Sequence, residues 1–188
     1  RRSSTHLPSG LARRGELPRI RPAILSEVKR LADPYRDLDV IDSRAPRFNQ
    51  VVIGSLALVA VLTGWSWLLG LLALQLVVGV TLGRRYCLPC LAYFELVQPW
   101  FGEGQLEDAR PPRFANMVGA GFLAAAFLSY LAGLDVLGAA LGILVAALAL
   151  LAAATGFCAG CEAYKVGYVL TGRRFVSCPL PPQPRTAK

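Results

Sequence analysis

Four cysteines fall into two pairs of one form, Cys87-Leu88-Pro89-Cys90 and Cys158-Ala159-Gly160-Cys161. Each pair stands in the phrase aromatic-C-x-x-C-x-A-Y, from Tyr86 to Tyr93 and from Phe157 to Tyr164. Cysteines three apart on a helix or helical turn project from one side, close enough to bridge to each other or to share a metal. Gly83 and Gly156 precede the motifs, where they can end one helix and let another begin near the first cysteine. A cysteine at a helix start meets free backbone N–H groups and the positive end of the helix dipole, both of which stabilise thiolate. The first pair also has proline just before its second cysteine, the C-x-P-C form of thioredoxin-like sites.

Two chemistries fit. In one, Cys87/Cys90 and Cys158/Cys161 cycle between dithiol and disulfide, pass electrons between a soluble thioredoxin-like protein and a membrane acceptor, and require no cofactor. In the other, all four sulfurs hold a zinc ion or an iron–sulfur cluster. The C-x-P-C form and the helix-start context tilt the balance to redox, with the metal site a close second. Buried cysteine can also serve as a small hydrophobe, but two C-x-x-C pairs at equivalent places argue against that. Cys178, in a proline-rich tail, has no equivalent and takes no role. The lone His6 lies in a polar stretch, which excludes histidine-based sites and Ser-His or Cys-His pairs in the core.

The elements that must position these cysteines are apolar. The chain of 188 residues is 54% hydrophobic, with mean hydropathy +0.46, more than a soluble domain of this length needs for its core. From Asn49 to Gly83 there is no charged residue, and Thr63-Gly64-Trp65-Ser66-Trp67 breaks that run. Because a span takes about 20 residues, the pattern predicts transmembrane helices over 47–64 and 66–83, then over Phe114–Gly133 and Val136–Phe157. Each hairpin is introduced by one polar phrase, Asp42-Ser43-Arg44-Ala45-Pro46-Arg47-Phe48 or Asp108-Ala109-Arg110-Pro111-Pro112-Arg113-Phe114. The expected organisation is a basic extension at 1–41 with an amphipathic helix at 22–32, repeat 1 at 42–107, repeat 2 at 108–172, and a tail at 173–188. The expected fold is an all-α integral membrane protein of four transmembrane helices in two tandem hairpins, each ending in a CxxC motif.

Charge sets the orientation. Of 20 Lys and Arg, eleven lie at or before Arg47, four in 84–113 and five after Phe157, so none sits in a hairpin turn. By the positive-inside rule that face is cytoplasmic, and it carries both termini and both cysteine pairs. An even number of spans per repeat inserts the repeats in one sense, related by a pseudo-two-fold axis along the membrane normal. The net charge of +8 therefore reads as a topology signal beside a lipid bilayer, and no nucleic-acid partner is expected. Residues 1–45 hold no apolar run of signal-peptide length, so none is expected there. Gln75 is expected to make an interhelical hydrogen bond. Arg47 and Arg113, at helix starts, need an anionic partner, with lipid phosphate or Asp42 and Asp108 ahead of thiolates.

The phrases from Asp42 to Gln50, from Glu107 to Phe114 and from Gly156 to Glu162 closely resemble a bacterial membrane family catalogued as domain of unknown function 4395. The resemblance covers about residues 40–170. It implies a small multi-pass protein of the bacterial inner membrane, associated with thioredoxin-like and sulfur-metabolism proteins. The long basic N-terminal extension departs from that pattern and, with the lack of a polar cavity in the spans, keeps a third reading open, a scaffold subunit of a larger membrane complex.

Overall fold

A computed structural model describes residues 32–172. The basic extension, the expected amphipathic helix apart from Ala32, Cys178 and the rest of the tail lie outside the described residues. The described elements are β1 (Val40–Asp42), α1 (Arg44–Thr63), α2 (Ser66–Thr81), α3 (Leu88–Ala92), α4 (Gln98–Phe101), β2 (Leu106–Asp108), α5 (Arg110–Leu131), α6 (Asp135–Thr155) and α7 (Ala159–Leu170). A 3-10 turn at Arg84–Tyr86 leads to α3, and a π-helical stretch at Tyr93–Val97 joins α3 to α4.

The prolines of the two polar phrases lie in the first turns of α1 and α5, where backbone N–H groups have no helical partner and nothing is lost by lacking one. Gly64, at φ 72°, closes α1 in a left-handed cap. Trp65 and Trp67 stack beside it with ring centroids 6.1 Å apart.

Helices α1, α5 and α6, of 20, 22 and 21 residues, are long and apolar enough to cross a membrane. The expected span at 66–83 is shorter than the other three. Helix α2 has 16 residues, and at about 1.5 Å per residue it covers roughly 24 Å of a hydrocarbon layer about 30 Å thick. It stops early because Gly83, at φ 96°, turns the backbone and Arg84 opens the 3-10 turn. Leu62, Leu74, Leu128 and Val136 face outward along the helices, a surface suited to lipid.

The long helices pack across the hairpins. α1 lies along α6 and α2 along α5, with α5 also against α6. Ile53, Leu69, Leu72, Leu76, Leu123 and Val145 are buried at the centre. Because lipid tails are as apolar as these side chains, close contact rather than escape from water holds such helices together. Gly142 shows the closeness, since a β-carbon there would lie 2.6 Å from a Val61 methyl.

The two polar phrases meet at one end of the bundle as an antiparallel ribbon. Ile41 pairs with Glu107, Val40 with Asp108, and Asp42 with Leu106. Beyond the strands, the Ser43 N–H donates to the Gln105 carbonyl at 2.8 Å and the Ala109 N–H to the Asp39 carbonyl at 2.9 Å.

Candidate functional site

The first pair begins where α2 has just ended. Cys87 is the residue before α3, extended at φ −85° and ψ 104°, and Pro89 lies in the first turn. Cys87 and Cys90 are joined as a disulfide with Cα atoms 5.2 Å apart. Both are buried, at 4% and 9% exposure. Cys87 rests directly on α2, because a β-carbon at Gly79 would lie 3.0 Å from its own. Ala45, Tyr93 and Phe94 complete the surrounding cluster.

Asp42 holds this region to the start of α1. Its buried carboxylate accepts from the Arg44 N–H at 3.0 Å on Oδ1. On Oδ2 it accepts from the Tyr93 hydroxyl at 2.9 Å, the Gln98 amide at 3.3 Å and the Gly104 N–H at 3.0 Å. Burial, and then the hydrogen bond to Asp42, push the Tyr93 phenol well above its ordinary range. Arg84 donates to the carbonyls of Pro34, Asp37 and Leu38, and burial pulls its guanidinium down to about 10 against the opposing pull of Asp37 and Asp39.

The second pair repeats the local plan in a more open setting. Gly156, at φ 78°, ends α6, and Cys158 precedes α7 with φ −97° and ψ 105°. Cys158 and Cys161 form the second disulfide, with Cα atoms 5.1 Å apart. The Cys161 N–H donates to Cys158 Sγ at 3.3 Å, so a thiolate released there would be met by a backbone donor and the dipole of a 12-residue helix. Both residues are half-buried. Tyr164 packs on Phe114 with centroids 5.4 Å apart at 44°, close to the 5.8 Å and 46° of Tyr93 on Phe48. A hydrogen bond with Tyr168 raises the Tyr164 phenol.

The sequence expectation that glycine ends one helix and a cysteine opens the next thus holds at both motifs. The two pairs line separate cavities, the first a pocket of about 160 Å³ that also touches Arg84 and Arg113, the second a polar cleft of about 310 Å³ with Arg47, Glu162 and Lys165. Among the described residues no group of three or more Cys, His, Asp or Glu side chains is placed to hold a metal, so the four sulfurs are not gathered as zinc or an iron–sulfur cluster would need.

Three polar contacts differ from expectation. The Arg113 guanidinium donates to the Val80 carbonyl at 2.8 Å, and a β-carbon at Gly156 would lie 2.7 Å from Arg47 Nη2. Each arginine therefore meets the negative end of a long helix rather than Asp42 or Asp108. Asp108 instead pairs with Arg110, whose Nη2 lies 2.6 Å from Oδ2. Gln75 donates to the Tyr86 carbonyl at 3.1 Å, which ties α2 to the turn before Cys87 rather than to another helix. Asp42, Tyr93 and Asn49 carried no site role in the sequence reading; the only signal was that Asp and Tyr recur at matching places in both repeats.

The family model described as domain of unknown function (DUF4395) matches residues 41–168, a stretch that runs from within β1 through the long helices and includes both cysteine pairs. The chain belongs to that family. No curated protein and no solved structure matches it. Membership places both C-x-x-C motifs inside the family's own domain and leaves the basic extension outside it.

Proposed function

We propose that this family member is a thiol–disulfide redox protein of the bacterial inner membrane. Cys87/Cys90 and Cys158/Cys161 cycle between disulfide and dithiol at the cytoplasmic surface and exchange electrons with a thioredoxin-like partner. The observation that carries the reading is that each pair closes as a disulfide with its first cysteine immediately before a helix. A pair so placed can open by attack of an outside thiolate on one sulfur and close by attack of its own second thiolate on the mixed disulfide.

A pseudo-two-fold relation between the repeats supports a common depth for the two pairs. In the ribbon Ile41 faces its own equivalent Glu107, and the flanking bonds from Ser43 and Ala109 are equivalents too. The two Phe–Tyr contacts match in the same way. A fourth crossing is completed by α2 together with the turn that follows it. The sequence has no Lys or Arg in either hairpin turn, and by the positive-inside rule this charge pattern supports a cytoplasmic side for the cysteines and both termini.

The test is a redox titration of the full chain in nanodiscs with thiol counting and metal analysis on one sample. Two two-electron couples are expected, and Cys161→Ser should trap a mixed disulfide with a thioredoxin-like protein through Cys158. Four freely alkylated thiols with no couple in the biological range would overturn the reading, and near-stoichiometric metal protecting all four would replace it. Cysteines introduced at Trp65 and Asp135 in a cysteine-free background should be labelled only from the side opposite the cytoplasm.

A further inference from the structure

A third cavity, of about 140 Å³, lies between α1, α5 and α6 and ends at Cys158. Its rim residues Val118, Phe122, Leu144 and Leu148 are about two-fifths exposed and sit on helices long enough to cross a membrane, so its mouth opens toward lipid. Its inner end is polar. Asn49 and Asn116 line it there, and the Asn49 amide donates to Asn116 Oδ1 at 3.3 Å. Asn49 is only 3% exposed, yet its Oδ1 has no hydrogen-bond partner among the described residues. A buried amide oxygen left so is unfavourable unless a ligand satisfies it.

We propose that this groove binds the head group of a lipophilic quinone and that the quinone is the membrane acceptor for the Cys158/Cys161 dithiol. The inference rests on the redox reading above. A lipid acyl chain would fill the apolar part but would leave the asparagine pair unanswered. A quinone answers it in both redox states. The pair keeps an acceptor in Asn49 Oδ1 and a donor in the Asn116 amide, and it lines both this groove and the pocket of the first cysteine pair. The donor suits a ring carbonyl of the oxidised form, and the acceptor suits a ring hydroxyl of the reduced form. The electron count also matches, because disulfide formation releases two electrons and quinone reduction takes two. In the step, the two S–H bonds of Cys158 and Cys161 break and the S–S bond forms. The electron pair enters the ring, and the two protons end on its oxygens as quinol.

The experiment uses the full chain in nanodiscs, reduced with a thiol reductant, freed of it without oxygen, and mixed with decylubiquinone or menadione. Expected is loss of quinone absorbance with one quinol formed per disulfide closed at Cys158/Cys161, and loss of that reaction in Cys158→Ser. Asn49→Ala should raise the KM for quinone about tenfold. Val118→Trp, which blocks the groove from an outward-facing position and spares the core, should do the same if Asn49→Ala fails to fold. If the dithiol shows its couple with glutathione but reduces neither quinone, or if folded Asn49→Ala and Val118→Trp both keep the wild-type KM, the quinone site is wrong and the redox reading stands. If there is no couple, both fall together. Retention of a phospholipid in native mass spectrometry that quinone never displaces would assign the groove to an acyl chain and overturn the proposal.

Discussion

The Tyr93 hydroxyl donates to the buried carboxylate of Asp42 at 2.9 Å, linking the helix of the first cysteine pair to the start of α1 across 51 residues. The folded protein holds the Tyr93 proton more tightly than the unfolded chain does. This contribution to stability is therefore complete below the ordinary phenol value of 10 and is lost as pH rises through the higher folded value. Thermal unfolding in detergent should show the Tyr93 share of stability falling above about pH 10, against an opposite contribution from Arg84, whose proton the fold holds less tightly. Tyr93→Phe should flatten that fall and, at neutral pH, cost about 1.5–3 kcal/mol for a lost bond to a charged group. A Tyr93→Phe curve parallel to wild type from pH 9 to 12 would contradict this.

Asp42 accepts from four donors, so removing it leaves more behind than one missing bond. Asp42→Ala should destabilise the protein by roughly 3–5 kcal/mol and expose the chain near Gly104 to protease. Asp108→Ala should cost less, because its partner Arg110 is 37% exposed and keeps water as an alternative. Equal losses for the two would show that the Asp42 network is not what holds α3 in place.

The disulfides differ in access. Cys158–Cys161 is half-buried, while Cys87–Cys90 is enclosed by Ala45, Tyr93 and Phe94. A bulky soluble reductant should open Cys158–Cys161 first, at a rate at least tenfold higher, read by timed alkylation and mass spectrometry. The reverse order would mean that the first pair is the entry point.

Gly142→Leu should separate α1 from α6, since even a β-carbon there would lie 2.6 Å from Val61. Overpacking of this kind costs about 1–3 kcal/mol. The same substitution in a Val61→Ala background should recover part of that loss. No recovery would place the strain elsewhere.

What could be read from the chain was local. The helix break at Gly83, the cap at Gly156 and the helix starts at the cysteines follow from spacing and residue type alone. Hydropathy located the hairpins but overran α2, because Leu82 and Gly83 are apolar by composition while their backbone leaves the helix. The polar pairings were not legible. Asp42 with Tyr93 and Asn49 with Asn116 depend on which helices lie side by side, and α1 runs along α6 rather than chiefly along its own hairpin partner α2. The same crossing explains Arg47 and Arg113, whose helix-end partners belong to the opposite hairpin.

That crossing bears on how the chain is made. When α1 and α2 have left the ribosome, the faces that will meet α6 and α5 have nothing protein to cover them, and Gly142 has not yet arrived to receive Val61. Asn49 likewise meets Asn116 only after α5 has been made. The first hairpin therefore completes its packing only once synthesis has passed Thr155.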